Sequence, residues 1–300
     1  MKVMKFGGAS LADAPKIQMV AEIIAGYSKN DRLVIVVSAM KGVTDKLVNI
    51  FKNLSGGKIR NSINELKCFY DFNLEVTKSL ELSQKIYEKS VIEIEKIFGE
   101  MMSCLFLKNS DLNWISDNFI TFGEKISAKL LTSCLNNKKI EAKFIDSARL
   151  IRTNNCFGNA DPDMESTSKN VEKIIYPMIF NNQLPVVTGF YGSTKDGHIA
   201  TLGRGGSDYS ATILANCLEA EDLILWKEVD GLYTKDPKKQ SSAVFLPRVN
   251  FKEADKMAKN GAKILHPKSL EALSANNVKV FIKNVFRPDF PGTLINNTCL

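Results

Sequence analysis

Two glycine-rich stretches carry residues suited to chemistry on an anion. Lys5 is followed by Phe6-Gly7-Gly8, and a second stretch reads Leu202-Gly-Arg-Gly-Gly-Ser-Asp208. Glycine lets the backbone bend sharply and come close to a ligand. In the second stretch three glycines surround Arg204, and Ala211, Leu214, Ala215 and Leu218 then fall at the spacing of one apolar helix face. A glycine loop that opens a helix points free N–H groups outward and favours an anion in front of them. Arg204 adds a planar fork matched to a carboxylate or phosphate. The plainer alternative is a tight turn, with Ser207 as the helix cap and Arg204 in solvent.

Lys5 sits on a strand-like segment, residues 2–6. A buried ammonium needs a partner, and Asp208 is a candidate. A Lys–Gly-Gly site beside an Arg–Gly-Gly–Asp site suits phosphoryl transfer, where catalysis is mostly positioning and charge neutralisation. The chain has neither a GxxxxGK[ST] loop nor the HRD and DFG set. A kinase built on these residues belongs to neither of those architectures.

The elements that must position these groups can be read in order. Residues 2–6 form a strand ending at Gly7-Gly8. Asp13 and Pro15 mark a helix start, with Ile17, Val20, Ala21 and Ile24 on its buried face. Residues 33–37 are a continuous apolar run, as expected of a parallel strand covered on both faces, and a helix follows from about Thr44. Residues 62–78 and 83–106 read as helices, the second with Ile86, Ile94 and Ile97 toward the core. Residues 119–135 read as one helix with Gly123-Glu124 near its start, 143–146 as a short strand and 155–163 as a loop. Residues 168–180 read as a helix broken or kinked by Pro177. Then come a buried strand at 184–190, a hairpin turn at Lys195-Asp-Gly197 and a return strand at 198–202. After the glycine loop and its helix, strands are expected at 222–229, 278–283 and 293–295, and helices at 251–259 (stopped by Asn260-Gly261) and 267–275. Strands alternating with helices predict an α/β fold, a mostly parallel central sheet sandwiched between helical layers. Ligands of such sheets lie beyond the carboxyl ends of strands, and the loops at 7–8, 38–44, 188–192 and 203–208 each follow one.

Composition narrows the classes. Three hundred residues can bury a large core, and 44% apolar with 24% charged residues describe an ordinary globular protein. No run approaches a membrane span, and no signal-peptide core follows the N-terminus, so the sequence predicts a cytoplasmic protein. The six cysteines form no CxxC pair, consistent with reduced thiols. With two histidines, His198 and His266, a histidine-based metal site is not expected. The net charge of +7 suits anionic substrates; with no basic run interleaved with aromatics, no nucleic-acid partner is expected.

Nine segments in one order resemble the aspartokinases, within the amino acid kinase family. They are Lys5-Phe-Gly-Gly-Ala-Ser10, Ser38-Ala-Met-Lys-Gly-Val-Thr44, Phe122-Gly-Glu124, Phe157-Gly-Asn-Ala-Asp-Pro-Asp163 and Thr188-Gly-Phe-Tyr-Gly192. Next come Thr201-Leu-Gly-Arg-Gly-Gly-Ser-Asp208, Val229-Asp-Gly-Leu-Tyr-Thr-Lys-Asp-Pro237, Gly261-Ala-Lys-Ile-Leu-His-Pro267 and Pro291-Gly-Thr293.

The resemblance implies one amino acid kinase domain over 1–300, with an amino-acid-binding lobe over about 1–200 and a nucleotide-binding lobe over about 201–300. It implies transfer of the ATP γ-phosphoryl group, with Mg²⁺, to the β-carboxylate of L-aspartate, a first step toward lysine, threonine, methionine and diaminopimelate. By position, Lys5 would stabilise the transferring group and Asp208 would orient Lys5 or the phosphate side. Gly7 and Gly8 would approach the phosphates. Glu124 would hold the substrate ammonium, and Arg204 a substrate carboxylate, with Ser38, Thr44, Phe190 and Ser207 lining the pocket. Tyr233 and Lys263 match nucleotide-side positions, and Lys227, Glu228 and Lys238 stand at nucleotide-side positions with changed residue types. Glu124 also reads as a partner of a helix dipole, Lys263 as a solvated helix-end lysine and Phe190 as core. The resemblance further suggests a homodimer.

The chain departs from the family in places. Ala9 stands where Thr is usual, Trp226-Lys-Glu228 replaces a Trp-Thr-Asp pattern, and Lys238 stands where Arg is common. The paired ACT regulatory domains usual in the family are not in these 300 residues, so lysine and threonine are expected to leave its activity unchanged. Two other readings stay open. One is a related kinase acting on glutamate, N-acetylglutamate or UMP, which the Phe122-Gly-Glu124 and glycine-loop segments disfavour. The other is a non-catalytic subunit with a decayed nucleotide site, which intact Lys5, Arg204 and Asp208 oppose.

Overall fold

Runs of buried aliphatic residues set the sheet. The computed structural model describes residues 1–104, 112–235, 237, 239–240, 242–259, 273 and 278–297. The first half holds β1 (Lys2–Phe6), α1 (Ala14–Tyr27), β2 (Leu33–Val37), α2 (Val43–Ser55), α3 (Ile59–Ser79), α4 (Gln84–Cys104), α5 (Leu112–Ile120), α6 (Phe122–Asn137) and β3 (Ala142–Ile145). Then follow α7 (Met164–Phe180), β4 (Leu184–Thr188), β5 (Tyr191–Ser193), β6 (Ile199–Thr201), α8 (Gly206–Cys217) and β7 (Asp222–Lys227). Last come β8 (Leu232–Tyr233), β9 (Phe245–Leu246), β10 (Arg248–Asn250), α9 (Phe251–Lys259), β11 (Lys279–Asn284) and β12 (Thr293–Asn296).

Among the described residues, eight strands form one sheet in the order β10-β12-β11-β7-β1-β2-β4-β3. All neighbours run parallel except β11 and β12. The fold is the expected mostly parallel sheet with helical layers. All five residues of β2 and of β4 are buried, the mark of strands covered on both faces.

Strand parity decides what each face receives. Met4, Phe6, Ile35 and Trp226 face one core, shared with α1 and α6. Val3, Val34, Val36 and Leu225 face the other, shared with α7 and α8. Lys5 has the parity of Val3, and Lys227 that of Leu225. Both lysines therefore point to the side of the sheet covered by α8. From β1 the chain moves to β2 on one side and reaches β7 on the other, so the carboxyl end of β1 lies where the strand order reverses. Such switch points open crevices for ligands.

Several boundaries differ from the sequence reading. The single helix expected over 119–135 is two, α5 and α6, parted at Thr121, whose hydroxyl donates to the Asn118 carbonyl at 2.7 Å. Helix α7 begins before residue 168 because Asp163 caps it, accepting from Ser166 N at 3.1 Å, and it runs past Pro177 to Phe180. Strand β4 stops at Thr188, and Phe190 turns away with φ +84°. The hairpin forms as expected, β5 against β6, with Gly197 at φ +86°. The stop at Asn260-Gly261, the helix over 267–275 apart from Leu273, His266 and two nucleotide-side positions, Lys238 and Lys263, lie outside the described residues. Among the described residues no helix is long and apolar enough to cross a membrane, and the five cysteines are free.

Candidate active site

At the carboxyl end of β1 the chain places a charge cluster. Lys5 is 5% exposed, and its Nζ lies 2.6 Å from Asp208 Oδ1. Lys227 Nζ lies 2.6 Å from Asp208 Oδ2. Parity brought the two lysines to this face, and the first turn of α8 brings the carboxylate to them. Burial pushes the Asp208 carboxyl up, but the Lys5 and Lys227 charges outweigh it and hold the group well below the usual carboxylate range. For Lys5 burial dominates and lowers its value; Asp208 opposes that, and Lys227 adds to it. Two ammonium groups on one carboxylate leave one positive charge in excess.

Close backbone approach surrounds this cluster. A Cβ on Gly8 would stand 2.5 Å from the Ala39 carbonyl oxygen, where no side chain fits. The Gly8 carbonyl accepts instead from Lys41 N at 3.0 Å, joining the two loops beyond β1 and β2. Gly7 lies beside Lys5, its Cβ position 3.7 Å from Nζ.

The second glycine loop ends in α8. Gly203 and Gly205 both take φ +78°, and Gly205 is the N-cap. Ser207 lies inside the helix and is buried, so the plainer reading of Ser207 as cap does not hold. Arg204 is held between two left-handed glycines at the rim of a cavity of about 590 Å³. A Cβ on Gly203 would meet Asn159 Oδ1 at 2.6 Å, so the 155–163 loop packs directly on the Arg204 loop.

Glu124 enters the same cavity from the first turn of α6. Gly123 lets α6 approach, since a Cβ there would lie 2.8 Å from both Ala39 Cβ and Val43 Cγ1. Glu124 is 2% exposed, and its Oε2 has no hydrogen-bond partner among the described residues. Burial pushes its carboxyl up to about 8, against backbone N–H groups and the Lys5 charge. A buried carboxylate without a partner is costly. Here it faces a cavity, so a cation placed there would relieve the cost.

The cavity brings together Lys5, Gly8, Ser38, Thr44, Glu124, Phe190, Arg204, Ser207 and Asp208. Phe190 keeps its left-handed backbone through two bonds: its N–H donates to Ser210 Oγ at 2.9 Å, and its carbonyl accepts from Leu202 N at 2.8 Å. The described nucleotide-side residues, Lys227, Glu228 and Tyr233, stand apart from this cavity. Lys227 reaches Asp208 but does not line it, Glu228 is exposed, and Tyr233 packs on Phe245 with ring centroids 5.6 Å apart.

Among the lining residues that sequence reasoning missed, Asp117 carries a buried charge. It is 4% exposed, and burial raises its pKa against three donors on one oxygen. Those donors are Gly158 N at 2.8 Å, Thr201 N at 2.7 Å and Thr201 Oγ1 at 3.1 Å. The partners stand 41 and 84 residues away, and no local pattern marks such a group.

Comparison with known proteins agrees with this geometry. A profile described as the amino acid kinase family matches residues 1–284. The lysine-sensitive aspartokinase 3 of Escherichia coli (strain K12) is 33% identical over 98% of this chain and 64% of that protein. The chloroplastic aspartokinase 1 of Arabidopsis thaliana is 32% identical over 99% of this chain and 52% of its own length. This chain therefore spans less than two thirds of either relative. The crystal structure of E. coli aspartokinase III in complex with aspartate and ADP (R-state) matches with a TM-score of 0.87 and 32% identity, over 100% of this chain and 65% of that one.

Proposed function

The chain belongs to the amino acid kinase family, and we propose that it transfers the ATP γ-phosphoryl group to the β-carboxylate of L-aspartate. The observation that carries this reading is the pairing of opposite readers in one cavity. Glu124 presents a buried carboxyl whose Oε2 has no partner among the described residues, and Arg204 presents a guanidinium on a fixed loop. An amino acid with a second carboxylate matches both, the ammonium at Glu124 and a carboxylate at Arg204. The remaining carboxylate then faces Lys5 and Asp208. The solved E. coli relative, described as holding aspartate and ADP, supports this choice.

The residues at the sheet end also suit a nucleotide's phosphates. Lys5, its neighbour Lys227, the bare backbone of Gly7 and Gly8 and the start of α8 together favour a polyanion. Tyr233, Glu228, Lys238 and Lys263 belong to that side in our reading, with the amino-acid lobe over about 1–200 and the nucleotide lobe over about 201–300. Both Asp208 oxygens are engaged by lysines. Mg²⁺ would therefore be carried by the nucleotide's own phosphate oxygens, as is common for this ion.

The chemistry needs no general base, because the acceptor carboxylate is ionised at neutral pH. One of its oxygens attacks the γ-phosphorus, the bond to the bridging oxygen of the β-phosphate breaks, and ADP leaves with that electron pair. Lys5 neutralises charge on the transferring group, and Asp208 and Lys227 fix where its ammonium stands. By resemblance we also propose a homodimer.

Titration calorimetry tests the substrate reading. L-Aspartate should bind, and binding at pH 7 should release a proton, because Glu124 must ionise to meet the ammonium. Absence of aspartate binding, together with binding of N-acetylglutamate or UMP, would replace this reading with the related-kinase one. Binding of aspartate without any binding of ATP would favour the non-catalytic subunit.

A further inference from the structure

Asp117 lines the cavity, yet the reaction just described gives it no task. Its carboxylate ties three separate segments through one oxygen. It stands on α5, takes N–H bonds from Gly158 in the 155–163 loop and from Thr201 at the end of β6, and takes the Thr201 hydroxyl as well. Thr201 is three residues before Arg204. Gly158 belongs to the loop that packs on Gly203, where a Cβ would be 3.3 Å from the Gly158 carbonyl oxygen. Helix α5 in turn leads through the break at Thr121 into the first turn of α6, which carries Glu124. A second contact binds the same helix to the same hairpin: Trp114 stacks on His198 with ring centroids 4.7 Å apart.

We propose that Asp117 is a positioning residue that sets where Arg204 stands relative to Glu124, and so selects the length of the acceptor. The inference rests on the proposed substrate reading for its consequence, but its geometry does not. Arg204 and Glu124 come from different elements, 80 residues apart in the chain by their numbers. Without Asp117 the α5 side and the Arg204 loop would be joined by the Trp114–His198 contact and weaker packing. A hydrogen bond to a charged group is worth more than a neutral one, and three of them converge here. A displacement of about 1 Å in a substrate-holding group is enough to cost a large factor in use of substrate.

Three variants test this. Asp117→Ala removes the acceptor. Asp117→Asn keeps one oxygen able to accept both N–H groups, so it should restore most of the function. Asp117→Ala in an Arg204→Ala background asks whether the two residues act as one unit. The Asp117→Ala change should raise KM for aspartate about tenfold or more while KM for ATP stays within about twofold. In the Arg204→Ala background it should add little further, since what it positions is already gone. Hydrogen exchange provides a readout that needs no substrate. The amides of Gly158, Thr201 and Gly203–Gly206 should exchange faster in Asp117→Ala and near the wild-type rate in Asp117→Asn.

Unchanged exchange at those amides overturns the proposal, whatever the substrate proves to be. Equal increases in both KM values, or full additivity with Arg204→Ala, also overturn it and leave Asp117 as a general stabiliser. If the wild-type chain does not use aspartate, the exchange result still judges Asp117 alone. If Asp117→Ala does not fold, Asp117→Asn and Thr201→Val carry the test, the latter removing only the hydroxyl bond. Unchanged aspartate KM and unchanged loop exchange in Thr201→Val would then overturn the proposal, and so would fast loop exchange in Asp117→Asn, which keeps an acceptor for both N–H groups.

Discussion

Lys5 and Glu124 are both buried and both ionisable, and their surroundings give them opposite tasks. Lys5 has a carboxylate at 2.6 Å and remains useful as a charge. That charge matters most while phosphoryl charge moves, so Lys5→Ala should lower kcat by roughly 10²–10³-fold and leave aspartate binding within a few-fold. Steady-state kinetics with calorimetric binding checks this, and a raised KM with unchanged kcat would contradict it. Glu124 has no partner on Oε2 and is held up to about 8 by burial. Its folded value lies above its unfolded one, near 4.5, so between those pH values the folded chain keeps a proton that the unfolded chain has lost. The wild-type chain should therefore lose stability as pH rises through that window, and the loss should level off above it. Glu124→Gln cannot titrate there. Its melting temperature should gain on the wild type between pH 5 and pH 8.5, by on the order of a few kcal/mol in stability, while aspartate binding is lost. A constant gap across that pH range would show that Glu124 does not titrate as its burial implies.

At the scale of elements, the site depends on how closely α8 meets the ends of β2 and β4. Gly189 follows β4, and a Cβ there would lie 2.8 Å from Ser207 Cβ and 3.0 Å from the Val37 carbonyl oxygen. Gly189→Ala should push α8 outward and cost about 1–3 kcal/mol, read as a fall in melting temperature, with a raised KM for aspartate because Ser207 and Arg204 move with the helix. Unaltered melting would mean that α8 shifts freely. Much of this arrangement was legible in the sequence. The apolar run at 33–37 and the alternation of strands and helices gave the parallel sheet, and the glycine loop gave the start of α8. A lysine on a strand expected to be buried pointed to a carboxylate partner, and Asp208 stands 2.6 Å from it. Other features had no local signal. The break between α5 and α6 depends on a Thr121 side chain turning back on Asn118, and the left-handed backbone of Phe190 depends on Ser210 and Leu202, in segments that meet it only after folding. The task of Asp117 depends on Gly158 and Thr201 in the same way. Ser207 fits a cap by type, yet a left-handed glycine before it took that place.

At the scale of the molecule, the sheet order explains why all of this lies in one place. The strand order reverses at β1, and the loops beyond β1, β2 and β4 and the start of α8 converge there. The helices on the α1–α6 face supply Glu124 and Asp117, and those on the other face supply Asp208 and Arg204's loop. The site is thus assembled across the sheet end from both layers, with the Lys5 strand between them. The central claim is that this assembly phosphorylates a carboxylate, specifically that of aspartate. An acyl phosphate is reactive toward hydroxylamine, whereas a phosphate ester of UMP is not trapped in that way. The most direct test is incubation of the chain with ATP, Mg²⁺, L-aspartate and hydroxylamine, with the product identified by mass. β-Aspartyl hydroxamate should form in step with ADP, and roughly 10²–10³-fold more slowly with Lys5→Ala; ADP formation with no hydroxamate from aspartate, or hydroxamate only from another carboxylate, would contradict this.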